Sequence, residues 1–599
     1  MVFGFKIVVN IYFCKKKPKI SGVFVILPYY TNPPILMKQL IECVPNFSEG
    51  NDMSIIKQIT DQIETVDGVK LLDVDPGKAT NRTVVTLVGT PDAVVEAAFR
   101  AIKKASEIID MSKHKGEHPR MGATDVCPFV PISGITMEET VVYARKLAEK
   151  VGAELNIPVY CYENAAFTAE RQNLANCRSG EYEGLSKKLS DPHWKPDFGP
   201  AVFNPSTGAT AVGARDFLVA YNINLNTTST RRANAVAFDI REKGRPVREG
   251  NPVTGKIVLD ENGKEKWTLG SLKACKAIGW FIQEYGIAQV SINLTNIRIT
   301  SVHEAFEESC KKAQERGLRV TGSELVGLVP LKSLVDAGKY FLKKQNRSTG
   351  VSESEIIKIA IKSLGLDDLK PFNPKEKIIE YLLEAENLEG KLIDMSCAAF
   401  ADETASESAA PGGGSVSAYV GALGISLATM VANLSSHKAG WDERWEEFSN
   451  WAEKGQALKD QLLFLVDEDT RSFNKIMDAF SLAKSSDEEK ALRTAAIQDA
   501  TRYAIEVPFK VMKTAFSSFE IIKAMVETGN PNSVTDAGVG ALCALTAIRG
   551  AFLNVKINAS GLKDKAFVEK VLAEGNQIEE KAFVIEKEII SMVNQKISL

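Results

Sequence analysis

The spacing of apolar residues changes character near residue 392, and that change constrains the architecture more than any other feature. Upstream, short strand-like runs alternate with helix-like runs. Downstream, strand signals almost vanish. Residues 415–434, 445–479, 487–517, 519–528, 536–554 and 565–595 each place apolar side chains at helical spacing, with no strand between them. Such stripes are buried by packing helix on helix, so a helical bundle is predicted from residue 392 onward.

The upstream part reads differently. Residues 39–45 form a strand pattern, 46–50 a polar turn and 53–63 an amphipathic helix. Residues 69–74 are a second strand, Asp75-Pro76-Gly77-Lys78 a loop, 82–88 a β-branched strand and 93–109 a second helix. This β-α-β-β-α order is that of a ferredoxin-like unit. A second α/β stretch opens with a strand at 218–225. Helices at 230–243 and 271–285 follow, then strands at 288–294 and 318–321. It is a candidate repeat of the first plan, which periodicity alone does not establish. Charged residues 376–391 read as a connection. The expected division is an N-terminal extension (1–36), two α/β subdomains (37–217 and 218–383), a linker (384–391) and an all-α domain (392–599).

A chain of 599 residues is too long for one core. Its net charge of −3 argues against a dedicated nucleic-acid surface. The nine cysteines are scattered and never form CxxC, which disfavours a disulfide framework or thiolate metal site and fits a reducing, cytoplasmic setting. Within residues 1–36 two apolar runs flank Lys15-Lys16-Lys17-Pro18-Lys19. The charge follows the first apolar run instead of preceding it, unlike a secretory signal, and each run is too short to span a bilayer. These residues are expected to stand outside the fold, with no firm membrane association.

Two of the five histidines, His114 and His118, bracket Glu117 in the segment His114-Lys115-Gly116-Glu117-His118-Pro119-Arg120. Imidazole suits proton transfer near neutrality. The same letters satisfy H-x-x-E-H, a zinc pattern that requires both histidines on one face of a helix. Gly116 weakens that helix, and Pro119 pushes His118 away from helical geometry. Asp75, after a strand and before Pro-Gly, is either a turn former or a carboxylate that holds a substrate. Pro411-Gly412-Gly413-Gly414-Ser415 opens a helix, so its amides suit an anion, or Ser415 simply caps the helix. No Gly-Lys-Ser/Thr follows, so it is not a Walker loop. Asp467 and Asp469 are two apart on a helix and point to different faces, so one is expected to face the interior.

Several segments carry a resemblance. They are Cys43-Val44-Pro45-Asn46-Phe47-Ser48-Glu49-Gly50, Asn81-Arg82-Thr83, residues 114–123, Asp125-Val126-Cys127-Pro128-Phe129, residues 197–200, residues 208–215 and residues 325–330. Together they resemble glutamate formimidoyltransferase. Ala410-Pro411-Gly412-Gly413-Gly414-Ser415 and Leu465-Val466-Asp467-Glu468-Asp469 resemble formimidoyltetrahydrofolate cyclodeaminase. The order is that of the bifunctional formimidoyltransferase-cyclodeaminases.

The resemblance implies formimidoyl transfer from N-formimidoyl-L-glutamate to tetrahydrofolate, then ring closure to 5,10-methenyltetrahydrofolate with loss of ammonia. It implies His118 as the catalytic base and acid of transfer, His114 and Asp75 in support, and Asp469 as the acid/base of ammonia release. Gly199-Pro200-Ala201-Val202-Phe203-Asn204-Pro205-Ser206-Thr207-Gly208 matches the folate-binding segment, with Thr207 where some relatives carry an aromatic residue. Glu324 stands where relatives have Gln. Asp536 and Asn554 are further candidates for the Asp469 pocket. The resemblance also implies a cytoplasmic homo-oligomer built from dimers, no tightly bound cofactor, no metal, and tetrahydrofolate, polyglutamated, as co-substrate. Lys187-Lys188 and Lys343-Lys344 are candidates to hold the polyglutamate tail, or are solvated basic faces. Formyl transfer from N-formylglutamate, a folate-binding scaffold and an H-x-x-E-H zinc hydrolase are the alternatives.

Overall fold

A computed structural model describes residues 39–597, except 79, 117–118, 251–254 and 385–390. The expected extension at residues 1–36 lies outside the described residues. The first sheet contains β1 (Leu40–Cys43), β2 (Asn46–Phe47), β3 (Val69–Gly77), β4 (Arg82–Gly89), β5 (Thr124–Ser133), β6 (Val159–Glu163) and β7 (Thr210–Ala214). β1 and β2 are successive pieces of one line, interrupted at Val44-Pro45, and both lie between β4 and β5. The order is therefore β3, β4, β1/β2, β5, β7, β6, with the last two pairings parallel. Helices α1 (Met53–Glu64), α2 (Pro91–Ile108) and α3 (Met137–Leu155) cover one face. Asp52 caps α1 by accepting from the Ser54 amide, and Thr136 with Glu139 forms a capping box on α3. The short helices α4 (Leu174–Arg178) and α5 (Glu181–Leu189) close part of the other face over Tyr160 and Tyr162.

The second sheet repeats the plan. β8 (Val219–Leu225) and α6 (Thr230–Ile240) are followed by a small ribbon of β9 (Arg245–Pro246) and β10 (Trp267–Thr268). Then come β11 (Cys275–Ile282), β12 (Ile287–Leu294), α7 (Val302–Gln314) and β13 (Val320–Val326). The order β11, β12, β8, β13 matches β3, β4, β1, β5 of the first sheet. Both units are ferredoxin-like. The helix expected at 271–285 is a strand: Cys275, Ala277 and Gly279 are buried while Lys276, Ile278 and Trp280 are exposed, a period of two. Gly279 lets the backbone of α6 approach, since a Cβ there would lie 2.2 Å from the Asn234 nitrogen. The strand expected to end at residue 74 runs through Gly77, so Asp75 is a ladder residue opposite Val84 and not a turn residue.

Helices α8 (Leu331–Lys344), α9 (Glu353–Leu364), α10 (Pro374–Lys377) and α11 (Ile379–Glu384) complete the second unit. Ile378 and Ile379 are buried in its core, so the charged segment after 376 is not wholly a connection. After α12 (Cys397–Thr404) come the bundle helices α13 (Gly413–Ser436), α14 (Trp445–Ser481), α15 (Asp487–Thr528), α16 (Val534–Ala559) and α17 (Lys565–Ile597). They share one core that includes Ala428, Phe448, Leu465, Met512, Ile548 and Phe552. The two helices expected within 487–528 are one. Ser517 and Ser518 bond back to the carbonyls of Lys513 and Thr514 instead of capping a new helix. The loop after α8 docks on the bundle: Asn433 and Gln456 both donate to the Gly350 carbonyl, at 2.8 and 3.1 Å.

Candidate active sites

The first site forms where the β3–β4 hairpin meets the crossing from α2 to β5. Asn81 sits at φ +45°, and its carboxamide oxygen accepts from the Gly50 amide at 3.0 Å. Its Nδ2 donates to the Lys115 carbonyl at 2.9 Å. Gly116 packs so closely that a Cβ would fall 2.3 Å from the Thr80 carbonyl oxygen, so glycine is required there. Arg120, buried, donates to His114 Nδ1 at 3.2 Å and pairs with both oxygens of Glu183 at 3.0 and 2.7 Å. A guanidinium only donates, so Nδ1 is an acceptor, and Nε2 carries the hydrogen it gives to the Asn81 carbonyl at 2.9 Å. Both ring nitrogens of His114 are thus engaged, which suits a residue that holds the loop and leaves no free lone pair for proton abstraction. Residues 114–116 are not helical, so the pattern lacks the helix that zinc ligation by H-x-x-E-H requires. Glu117 and His118 themselves lie outside the described residues.

The Gly199–Gly208 segment comes to the same place. Gly208, at φ +65°, pairs with Gly122, and a Cβ on Gly208 would lie 2.2 Å from the Met121 carbonyl oxygen. The Met111 amide donates to the Ser206 carbonyl at 3.0 Å, the Ala123 amide to that of Thr207 at 2.9 Å, and Tyr182 Oη to that of Pro205 at 2.6 Å. Phe203 packs on Tyr182 with centroids 5.6 Å apart, so an aromatic face is present although position 207 is Thr. Ala201 and Val202 remain exposed.

Asp75 shares a sheet face with Val84 and Asn46, and Asn46 accepts from the Arg82 guanidinium. Glu324 stands on the second sheet, where Asn222 Nδ2 lies 3.4 Å from its carboxylate. That face also carries Lys276, whose charge reaches Glu163 of β6. Glu42, on the β1 line, escaped sequence reasoning. It is 5% exposed, and burial pushes its carboxyl up to about 7, with Arg215 opposing and Glu380 reinforcing the shift. Lys188 is not a tail lysine: it is buried and donates to the carbonyls of Asn176, Cys177 and Ser179. Lys344 is paired with Glu307.

The second site lies in the bundle, in a cavity of about 200 Å³. Gly412, Gly413, Gly414, Asp469, Phe473, Asn554 and Asn558 are among the residues that line it. Gly412 is the N-cap of α13 and supplies no capping side chain. Asp469, reaching across from α14, takes that place: the Ser415 hydroxyl donates to it at 3.1 Å, and the Ser415 amide donates as well. Ser415 is therefore not the cap. Gly414 makes the contact feasible, because a Cβ there would lie 2.1 Å from Asp469 Oδ1. Burial raises the Asp469 pKa by more than the Ser415 donors lower it. Asp467 is the more buried of the two; it accepts from the Leu392 amide at 2.7 Å and holds the incoming chain. Asp536 does not join the pocket: it lies eighteen residues before Asn554 on α16, about 27 Å along the axis.

Profiles described as "Formiminotransferase domain, N-terminal subdomain", "Formiminotransferase domain" and "Formiminotransferase-cyclodeaminase" match residues 40–215, 220–384 and 396–577. Formimidoyltransferase-cyclodeaminase of Mus musculus is 44% identical over 534 residues, covering 89% of this chain and 95% of that protein.

The chain belongs to the formiminotransferase-cyclodeaminase family.

Two relatives of this family member match shorter shares of the chain. Glutamate formimidoyltransferase of Streptococcus pyogenes is 43% identical over 310 residues, covering 52% of this chain and 95% of that protein. Methenyltetrahydrofolate cyclohydrolase of Methylorubrum extorquens is 36% identical over 199 residues, covering 33% of this chain and 96% of that protein. The two-sheet part and the bundle thus correspond in size to separate enzymes.

Proposed function

We propose that this chain transfers the formimidoyl group of N-formimidoyl-L-glutamate to N5 of tetrahydrofolate on its two-sheet part. It then closes the product to 5,10-methenyltetrahydrofolate in the bundle, releasing ammonia. One observation carries the reading: each part of a chain matching both halves of the family draws distant segments into one polar site, Met111 and residues 121–123 with 206–209 in the first and 412–415 with Asp469 in the second.

In the first site His118 takes the proton of the attacking N5 and returns one to the departing glutamate nitrogen. Its described flanks, Gly116 and Arg120, are fixed by Thr80, His114 and Glu183. Backbone of residues 199–208, with Phe203, receives the pterin, and Asp75 orients the amidine. In the second site Asp469, whose pKa burial raises, gives its proton to the leaving nitrogen. The pathway is histidine breakdown, the setting cytoplasmic, and the co-substrate a polyglutamated tetrahydrofolate. The assembly is a homo-oligomer. That reading draws on exposed apolar positions of α13 (Leu423, Met430, Leu434) and α16 (Val539, Leu542, Leu553, Ile557).

The test is incubation with tetrahydrofolate and formimidoylglutamate, following methenyl absorbance and ammonia. His118→Ala abolishes transfer and spares cyclisation of supplied 5-formimidoyltetrahydrofolate, while Asp469→Ala does the reverse. Loss of both activities in either variant breaks the two-site assignment. A second reading follows from the cyclohydrolase relative: the bundle opens the methenyl ring with water. Consumption of methenyltetrahydrofolate without ammonia as a co-reactant would favour it.

A further inference from the structure

Asn554 and Asn558 lie one turn apart on α16, and both line the cavity that holds Asp469. Asn554 Nδ2 donates to the Gly550 carbonyl at 2.9 Å, and Asn558 Nδ2 donates to the Ala504 carbonyl at 2.7 Å. A backbone carbonyl only accepts, so the atom against it has to be the amide nitrogen. That fixes both carboxamides and leaves each Oδ1 turned away from its own anchor. Among the described residues no donor reaches either oxygen, and neither is sealed in the bundle. Gly413 admits the first of them closely, since a Cβ there would lie 3.3 Å from Asn554 Nδ2. The two asparagines and the proton donor Asp469 border one cavity, so the acceptors offered beside Asp469 are the two carboxamide oxygens. A nitrogen bearing several hydrogens satisfies them, whereas a carbonyl oxygen in its place sets acceptor against acceptor.

We propose that Asn554 and Asn558 are positioning residues that select the formimidoyl nitrogen, their Oδ1 atoms receiving its N–H groups while Asp469 protonates it. The inference rests on assigning ring closure to this cavity. In that step the N10 lone pair forms a bond to the formimidoyl carbon, and the C=N π pair moves to the terminal nitrogen. N10 loses its hydrogen to that nitrogen, and Asp469 adds a second. The C–N bond then breaks, its electron pair leaves with ammonia, and the N5 lone pair completes the methenyl cation. The departing nitrogen gains hydrogens and positive charge on the way, so bonds to the two oxygens strengthen toward the transition state.

The experiment uses the full chain with Asn554→Leu, Asn558→Leu and both together. Each is assayed for ring closure of 5-formimidoyltetrahydrofolate and for inhibition by 5-formyltetrahydrofolate, which has oxygen where the substrate has N–H. The expected result is a loss of about 10- to 100-fold per variant in kcat/KM for the substrate. The formyl compound binds with unchanged or higher affinity, and transferase activity is retained. An equal loss for both ligands marks a merely structural role and overturns the proposal, as does no loss for either. If a leucine variant also loses transferase activity, Asn→Ser is read by the same ratio of the two ligands. If the unaltered protein forms no methenyl product and ammonia, the ring-closing assignment fails and takes this inference with it. An active parent whose variants keep their selectivity overturns the inference alone.

Discussion

Glu42 lies on β1 between β4 and β5, a carboxylate buried in a sheet, and its burial sets a pH dependence. Its pKa rises from 4.5 to about 7 on folding, so the native state binds this proton more tightly than the unfolded chain. Its contribution to stability is full below the unfolded value and is lost as the pH rises through the folded one. Glu42→Gln is therefore expected to be more stable than the parent above neutrality, by about 3 kcal/mol, and equal to it in acid. Urea unfolding at two pH values reads this directly. Asp469 is shifted in the same direction, so ring closure is expected to slow as pH rises through its elevated pKa, and Asp469→Asn, which has no acidic proton to give, is expected to lose ring closure at every pH. Gly414→Ala pushes a methyl onto the Asp469 carboxylate and is expected to abolish ring closure while sparing transfer in the same preparation. Sequence singled out Asp469 and the glycines. It did not register Asn558, because an asparagine on a helix carries no signal until its amide is seen anchored to Ala504 of a neighbouring helix.

At the level of elements, the first site depends on two chain segments held at backbone distance. Gly208 and Gly122 permit that approach, and Gly208→Ala meets both a positive φ and the Met121 carbonyl. Its expected effect is a loss of at least about 1 kcal/mol of local stability together with weaker tetrahydrofolate binding. Ring closure in the bundle remains unaffected, and isothermal titration beside the two assays checks the pair of outcomes. The amphipathic helices, the β3–β4 hairpin and the bundle helices were legible because their apolar residues recur at one period. The strand at 275–282 was misread because its exposed positions are themselves apolar, Ile278 and Trp280, so the alternation is hidden in composition and appears only in burial. The extension of β3 through Asp75-Pro76-Gly77 was hidden likewise: the letters favour a turn, and pairing with β4 overrides them.

For the whole molecule, the two sheets repeat one strand order and the bundle has its own core, against which the loop at Gly350 docks. Helices α13 and α16 are long and apolar enough to cross a membrane, yet they lie against one another with half or more of those windows buried. Under the proposed homo-oligomer, Leu434→Glu with Leu542→Glu is expected to lower the sedimenting mass while each chain stays folded, as the apolar faces become charged, and an unaltered protein that already sediments as a single chain overturns that proposal. The sequence by itself determined the change of architecture near residue 392, the ferredoxin-like order of the first unit, the family, and the segments proposed for the two sites. These follow from local spacing and from motifs that are contiguous in the chain. Only the tertiary structure decided that Asp469 caps another helix, that His114 is spent on holding a loop, that Asp536 stands apart from the pocket and that Glu42 is buried. Each of those depends on which distant backbone atoms lie within hydrogen-bond reach and on how much water is excluded, and neither quantity is a property of neighbouring residues.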